Sequence, residues 1–189
     1  MLSKGLDFDN VSLVGIINAD SMLNFPDFRA HERAYQMMVQ VSGRAGRNKK
    51  QGNVAIQTFN PYHQILQQVA ATNYTEMYNE QLQERWQYKY PPYYRLIKIT
   101  LKHRDYNNVD NGINWLAKAL QNSFGEFVLG PTAPTVSRIR NQYIKNIVIK
   151  IPPKQSLVGT KKQLQKIKIT FEAVSMFRSI RFIIDIDAY

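Results

Sequence analysis

The hydrophobic and polar positions of residues 1–75 alternate between strand-like and helix-like patterns. An almost continuous apolar run over residues 11–17 predicts a strand buried on both faces of a parallel sheet. Residues 32–41 have a helical pattern, and the alternation over residues 52–58 predicts a second strand. Asn60-Pro61 predicts the start of another helix, with Asn as N-cap, Pro in the first turn and a buried stripe of Ile65, Leu66 and Val69. This order indicates the end of a parallel α/β lobe.

A polar and aromatic helical pattern follows in residues 74–90 and ends at Pro91-Pro92. We interpret residues 76–91 as a helical connector between two domains. Tyr78, Leu82 and Trp86 are spaced four residues apart, which predicts that they pack the connector against a domain. The alternative is that the aromatic residues of the connector stack on nucleobases.

Residues 92–189 predict a separate α+β domain. Apolar residues alternate with polar ones over residues 97–102, and an amphipathic helix follows. Residues 135–140 and 143–151 predict a hairpin that turns at Asn141-Gln142. A second helix comes next, and residues 181–187 predict a last strand. The order β-α-β-β-α-β is typical of a ferredoxin-like domain, in which two helices cover one face of a sheet.

Positive charge is concentrated in the second half of the chain. The net charge is +11, and residues 80–189 hold 18 lysines and arginines against 8 acidic residues. Nine basic residues and no acidic one occur between Glu126 and Glu172. Such a one-signed field predicts a polyanionic partner, although a solvated basic face that keeps the domain soluble is the alternative. The candidate DNA-binding residues are Arg138, Arg140, Lys145, Lys161 and Lys162.

Composition excludes several other classes of site. The chain has no cysteine, and its three histidines lack the spacing of metal ligands, so we predict no metal site. No apolar segment is long enough to span a bilayer and no signal pattern is present, which predicts a cytoplasmic protein without a membrane partner. Asp185 and Asp187 stand two apart on a predicted strand, where a charge-capping or domain-contact role is expected.

Two arginines three residues apart give the chain its most specific candidate for chemistry. Residues 40–47 read Gln-Val-Ser-Gly-Arg-Ala-Gly-Arg, so that Gly43 precedes Arg44 and Gly46 precedes Arg47. Glycine allows close approach of the backbone to an anion, and the planar guanidinium matches the oxygens of a phosphate. The alternative is a basic, glycine-rich surface turn. Asp20 is a second candidate because it follows the first predicted strand, at the edge where open α/β sheets bind ligands; a simple loop or capping role is the alternative.

Three motifs together resemble a known family. Residues 4–11 (Lys-Gly-Leu-Asp-Phe-Asp-Asn-Val) and residues 40–47 are similar to motifs of superfamily 2 helicases. Between them, residues 26–33 (Pro-Asp-Phe-Arg-Ala-His-Glu-Arg) are more specific. Their order resembles the primosomal replication-restart DNA helicases (primosomal protein N′, PriA). The resemblance continues through Gln57-Thr58 and, more loosely, to residues 185–187.

The resemblance implies the end of a RecA-like helicase lobe at residues 1–75 and a C-terminal domain similar to a small ribosomal-subunit protein. It implies a full-length, ATP-dependent DNA helicase that restarts replication at stalled forks through primosome assembly. ATP and Mg would serve that protein, and its cysteine-rich zinc module would lie outside these residues. Its expected partners are forked and single-stranded DNA, single-strand-binding protein and primosome proteins.

The resemblance also implies roles for individual residues. Arg47 would be the arginine finger, with Arg44 as its helper on the γ-phosphate and Gln40 positioning the attacking water. Gly5 and Asp7 would couple nucleotide state to DNA, and Asp20, Gly43 and Gly46 would belong to the same nucleotide-binding or coupling region. The chain lacks a Walker loop and an Asp-Glu-x-His string, so these 189 residues alone are predicted to be inactive. The alternative function is a non-catalytic basic module that binds branched or single-stranded DNA, or the tail of single-strand-binding protein.

Overall fold

The computed structural model describes residues 11–46 and 52–186, which form a mixed α/β protein. The chain divides into two compact units, with the boundary between Gln87 and Tyr88. Four residues with predicted roles lie outside the described residues: Gly5, Asp7, Arg47 and Asp187.

The first unit is built on two short parallel strands. Its elements are β1 (Leu13–Ile16), α1 (Asp20–Leu23), α2 (Ala30–Ser42), β2 (Asn53–Ile56), α3 (Gln64–Ala70) and α4 (Tyr74–Gln87). Leu13 is opposite Asn53 and Ile16 is opposite Ile56, so the two strands start and end together. The helices pack around a core whose most deeply buried side chains include Tyr35, Met38 and Met77.

The prediction that the first strand is buried on both faces is wrong. Leu13 is 61% exposed, and Ile17, just beyond the strand, is 80% exposed. Within the described part of the chain β1 pairs only with β2, and it makes few contacts with α2. An apolar run of this kind therefore identified the strand but not its degree of burial.

The third helix starts later than predicted. Asn60 is not its N-cap, because the chain first turns, with the His63 N–H donating to the Asn60 carbonyl at 3.1 Å. His63 is the N-cap, and its Nδ1 accepts the Ile65 N–H at 3.2 Å. The predicted stripe of Ile65, Leu66 and Val69 is buried as expected.

The predicted packing face of the connector helix is also wrong. Helix α4 packs on α2 and α3 within the first unit, but Tyr78 and Trp86 are exposed. The buried positions are Met77 and Gln81, each one residue earlier than the predicted face. This buried face carries polar residues, so it lacks the apolar spacing that predicts a packing face. Arg85 lies on the same face, four residues after Gln81, and pairs with Glu32 of α2 at 2.5 Å.

The second unit is an antiparallel sheet with two long helices. Its elements are β3 (Arg95–His103), α5 (Tyr106–Phe124), β4 (Val128–Thr132), β5 (Arg138–Ile139), β6 (Gln142–Ile151), α6 (Leu157–Ala173) and β7 (Arg181–Ile186), with 3₁₀ turns at Gly125–Phe127 and Ser175–Phe177. The strand order is β4-β6-β3-β7, and β5 pairs with the start of β6. Because β3 and β4 are each antiparallel to β6, they run in the same direction with β6 between them.

One hydrophobic core joins the sheet to both helices. The alternate residues of β3, from Ile97 to Leu101, are buried as the pattern predicted. Helix α5 contributes Leu116 and Leu120, and α6 contributes Phe171, whose ring stacks on Phe177 at 5.0 Å between centroids. The alternation in β3 and the helical spacing in α5 and α6 therefore predicted the packing faces of these elements correctly.

The hairpin before β6 differs from the prediction in the position of its turn and in the length of its first strand, since β5 is only Arg138–Ile139. Ile139 is opposite Gln142, so the turn is Arg140-Asn141, one residue earlier than predicted. Both turn residues have positive φ, 49° and 61°, as a two-residue hairpin turn of primed type requires. Arg140 is consequently a turn residue and does not share a strand face with Arg138.

Strand β4 was missed by the sequence pattern. It contains Gly130-Pro131, a pair that usually marks a turn, and its register to β6 shifts between Leu129 and Thr132. β4, rather than the predicted strand at residues 135–140, is the main partner of β6 on that side.

Candidate functional site

Asp20 lies at the carboxyl ends of both strands of the first unit. Its Oδ1 accepts the Thr58 hydroxyl at 2.9 Å, and its Oδ2 accepts the Phe59 N–H at 3.1 Å. The loop after β1 is also joined to the end of β2 by the Ala19 N–H, which donates to the Gln57 carbonyl at 3.0 Å. The carboxylate is thus at the edge where ligands bind in open α/β sheets, and both of its oxygens hold the two loops together.

The loop after α2, residues 43–46, which we call the arginine loop, is at the opposite ends of the same strands. Helix α2 ends at Ser42, and the Arg44 N–H donates to the Val41 carbonyl at 3.1 Å as the chain turns. The Gly46 N–H then donates to the carbonyl of Val11, which precedes β1, at 3.0 Å. Gln40 is exposed near the end of α2, and Arg44 is half-buried in the loop. The structure therefore brings Gln40, Arg44 and Gly46 together but places Asp20 apart from them.

The two glycines of this loop differ in what they contribute. Gly43 has φ −63°, a helical value that any residue adopts, and a Cβ there would meet only ordinary contacts. Gly46 has φ +78°, in the left-handed region that favours glycine. Close packing adds to this constraint, because a Cβ on Gly52 would lie 2.3 Å from the Gly46 nitrogen. The conformation of the loop thus depends on Gly46 and Gly52, and the contribution of Gly52 was not predicted.

Residues 26–33 hold the start of α2. Asp27 accepts the Arg29 N–H at 2.9 Å and pairs with the Arg33 guanidinium at 2.6 Å. The Phe28 ring has two guanidinium groups near it, those of Arg29 at 5.0 Å and Arg85 at 5.1 Å from its centroid.

Arg85 of α4 therefore contacts this segment twice, through Phe28 and through its ion pair with Glu32. Sequence reasoning missed this role of Arg85, although its position four residues after Gln81 is on the buried face of α4. Through these contacts the motif fixes the helix that leads to the arginine loop.

Two histidines approach each other near Asp20. The rings of His31 and His63 are 5.3 Å apart in an edge-to-face arrangement. Burial, followed by the repulsion of His31, lowers the pKa of His63, while Asp20 opposes this shift. Within residues 11–46 and 52–186 no group of three His, Asp or Glu side chains is arranged to hold a metal ion.

The five predicted DNA-binding residues are on three separate elements of the second unit. Lys161 and Lys162 are exposed on α6, and Arg138 and Arg140 are exposed on the hairpin. Lys145 of β6 differs, because its Nζ pairs with Asp110 of α5. The hydrogen bond that the Lys145 ammonium donates to the Asp110 carboxylate is the largest cause of the raised pKa of Lys145. Its charge is compensated inside the unit, which argues against Lys145 as a contact for phosphates.

Comparisons with known proteins agree with the motifs. Residues 87–189 match the family described as the primosomal protein N C-terminal domain. The chain is 38% identical to the replication restart protein PriA of Bacillus subtilis over 166 residues, which are 87% of this chain and 21% of that protein. It is 35% identical to the protein of the same name from Haemophilus influenzae, over 99% of this chain and 25% of that protein. The chain belongs to the PriA family.

The chain spans only about a fifth to a quarter of the length of these PriA relatives. The family match covers the whole second unit, and the relatives also align with most of the first unit. Both the arginine loop and the basic second unit therefore lie in the part of the chain that aligns with PriA proteins. Among the described helices, none has the length and apolar character needed to cross a bilayer.

Proposed function

We propose that this PriA chain is the C-terminal portion of an ATP-dependent DNA helicase that restarts replication at stalled forks by primosome assembly. The observation that carries the proposal is the arginine loop, which follows a helix anchored by the family motif at residues 26–33. A pair of arginines three residues apart in the sequence suits a phosphoryl group whose charge increases during hydrolysis. Family membership favours this function over a stand-alone binding module.

We also propose a fold assignment for each unit. Two parallel strands joined through α2 support the end of a RecA-like lobe for the first unit. In the second unit, β6 lies between the parallel strands β3 and β4, and this split β-α-β arrangement supports a ferredoxin-like domain. On this assignment α4 belongs to the first unit, and the connector shortens to the residues just before β3.

The roles proposed for the nucleotide site follow the motif order. Arg47 is the arginine finger, Arg44 assists it on the γ-phosphate, and Gln40 positions the attacking water. The hydrogen bonds from Arg44 and Gly46 to the backbone support a fixed loop, which is what an arginine needs if it is to act without reorganisation.

Gly5, Asp7 and Asp20 are proposed to couple nucleotide state to DNA. The distance between Asp20 and the arginine loop along the strands favours a coupling role for Asp20 over direct contact with the same phosphate. ATP and Mg are the proposed cofactors of the full-length protein, where a zinc module would also lie outside these residues.

Turnover in the full-length protein tests the role of Arg47. An arginine that acts on charge in the transition state contributes little to ATP binding, so Arg47→Ala should lower DNA-stimulated turnover by roughly 10³-fold with little change in ATP affinity. Arg95→Ala, which removes an exposed arginine from β3, serves as the matched control and should retain full turnover. Equal losses of affinity and turnover in Arg47→Ala would make Arg47 a ground-state binding residue. Residues 1–189 alone should hydrolyse no ATP with or without forked DNA.

The second unit is proposed to bind the DNA backbone. Lys161, Lys162, Arg138 and Arg140 are exposed, and within the described part of the chain none of them forms an ion pair with a carboxylate. Forked and single-stranded DNA are the proposed ligands, with single-strand-binding protein and primosome proteins as further partners. Phosphate contacts predict binding that depends little on base sequence and weakens as salt is raised.

A further inference from the structure

Four side chains near the start of α5 form a continuous set of aromatic and cationic contacts, which we call the tyrosine cluster: Tyr106, Arg138, Tyr143 and Lys145. The rings of Tyr106 and Tyr143 are 5.5 Å apart and nearly perpendicular, at 80°. The Arg138 guanidinium is 4.8 Å from the centroid of the Tyr143 ring, and the Lys145 ammonium is 5.3 Å from that of Tyr106. Each ring therefore already has a cation beside it.

Tyr106 is the ring of the cluster that faces solvent. It remains 49% exposed despite its contacts, whereas Tyr143 packs against the hydrophobic core. Tyr106 is the first residue of α5, and the Asp105 side chain caps that helix by accepting the Asn108 N–H at 2.8 Å. A ring fixed on a capped first turn loses little freedom when a planar ligand stacks on it.

The charges around the cluster favour an anion. Asp110 is paired with Lys145, and the negative charge of Asp105 faces the positive end of the α5 dipole, so that the cations of Lys145, Arg138 and Arg140 outnumber the two carboxylates. Arg138 donates to the amide oxygen of Asn141, a neutral partner, so its positive charge is not cancelled. Arg140 adds a second exposed guanidinium two residues away in the turn.

We propose that the tyrosine cluster binds an unpaired nucleotide of single-stranded DNA, whose base stacks on Tyr106 while the flanking phosphates contact Arg138 and Arg140. An exposed tyrosine beside uncompensated arginines matches the combination of stacking platform and basic groove that single strands require. In a duplex the faces of each base are covered by its neighbours, so duplex DNA would offer only its phosphates to this site. The proposal rests on the DNA-binding role proposed for the second unit and adds the site and the strand type.

Binding of residues 1–189 to two labelled strands of equal length tests the proposal. One is an oligothymidylate, and the other is an abasic strand that keeps every phosphate but has no bases. Wild type should bind the oligothymidylate about 5- to 150-fold more tightly, which corresponds to the stacking of one base. Tyr106→Ala should lose this preference and bind the abasic strand as wild type does. Tyr106→Phe, which keeps the ring, should retain the preference.

Controls separate this proposal from the DNA-binding role itself. Tyr62→Ala removes a tyrosine of the first unit that is still more exposed than Tyr106, and it should retain the preference for bases. Arg138→Gln with Arg140→Gln should weaken binding to both strands alike.

If wild type binds both strands equally, or Tyr106→Ala keeps the preference, the stacking site is wrong while phosphate binding stands. If neither strand binds at low salt, both proposals fail. A third outcome would also overturn the stacking site. If an acidic peptide displaces DNA equally well from wild type and from Tyr106→Ala, and wild type shows no preference for the oligothymidylate over the abasic strand, the arginines bind a peptide instead.

Discussion

The ion pair between Lys145 and Asp110 makes a prediction about both stability and DNA binding. If the charge of Lys145 serves to pair with Asp110 inside the unit, Lys145→Met should lower the free energy of unfolding of the second unit. Adding Asp110→Asn in a double variant should restore part of that free energy. The raised pKa of Lys145 means that the folded state holds the proton more tightly than the unfolded state. The contribution of the pair is therefore complete at neutral pH, below the unfolded pKa, and is lost as the pH rises through the folded pKa.

The expected coupling energy between Lys145 and Asp110 follows from the burial of the pair. The two side chains are 18% and 34% exposed, which is between a surface pair and a buried one. Exposed pairs contribute up to ~1 kcal/mol and breaking buried pairs costs ~3–5 kcal/mol, so we expect a coupling energy of about 1–2 kcal/mol. For a unit of this size, a loss of about 1–2 kcal/mol in Lys145→Met should lower the melting temperature by about 4–16 °C.

Fluorescence can follow the second unit alone within the intact chain. The two tryptophans are divided between the units, and Trp115 packs against Phe171 and Phe177 at 5.8 and 6.1 Å between centroids. A Trp86→Phe background, which changes an exposed residue of the first unit, leaves Trp115 as the reporter. Thermal and urea unfolding of the two single variants and the double variant then complete a double-mutant cycle.

DNA affinity of the same variants distinguishes an internal role from a phosphate contact. Lys145→Met leaves Asp110 unpaired and should weaken binding by repulsion, but the double variant should bind single-stranded DNA nearly as wild type does. A double variant that stays weak, together with a coupling energy near zero, would refute the internal role and return Lys145 to the DNA-binding surface.

Two further predictions concern the first unit. Arg85→Met removes a half-buried partner of Glu32 and the cation beside Phe28, so it should destabilise this unit by about 2–3 kcal/mol in urea unfolding followed by circular dichroism, and adding Glu32→Gln should recover part of the loss. Because the pKa of His63 is lowered in the folded state, the unfolded state binds more protons, and the stability of this unit should fall as the pH drops from 7 through the folded pKa. His63→Asn, which keeps an N-cap acceptor, should flatten that pH dependence, and an unchanged profile would contradict the assignment.

The elements that the sequence predicted well have one continuous packing face. β3, α5 and α6 each bury residues at a regular period, so their faces could be read directly from the order of apolar residues. β4 could not, because Gly130-Pro131 interrupts its pattern. The packing face of α4 was misplaced because Gln81 and Arg85 are polar yet buried or half-buried.

The candidate site was predictable where it is local in sequence. Gln40 near the end of α2 and Arg44 and Gly46 in the loop after it lie within seven residues of sequence, so no tertiary information was needed to bring them together. The pairs of Arg85 with Glu32 and of Lys145 with Asp110 join residues 53 and 35 positions apart, and no periodicity marks such contacts. Asp20 was correctly predicted at the carboxyl end of β1, but its separation from the arginine loop depends on the direction of α2.

The salt dependence of DNA binding by residues 1–189 tests most directly whether the second unit presents its charge to the DNA backbone. Binding to single-stranded DNA should weaken with salt by a logarithmic slope of about 0.7 for each phosphate neutralised. Lys161→Gln with Lys162→Gln should reduce the slope by about 1.4, the share of two contacts. The matched control, Arg95→Gln with Lys118→Gln, removes the same charge from exposed positions elsewhere in this unit and should keep the wild-type slope. Absence of binding at low salt, or equal slopes for the two double variants, would contradict the account.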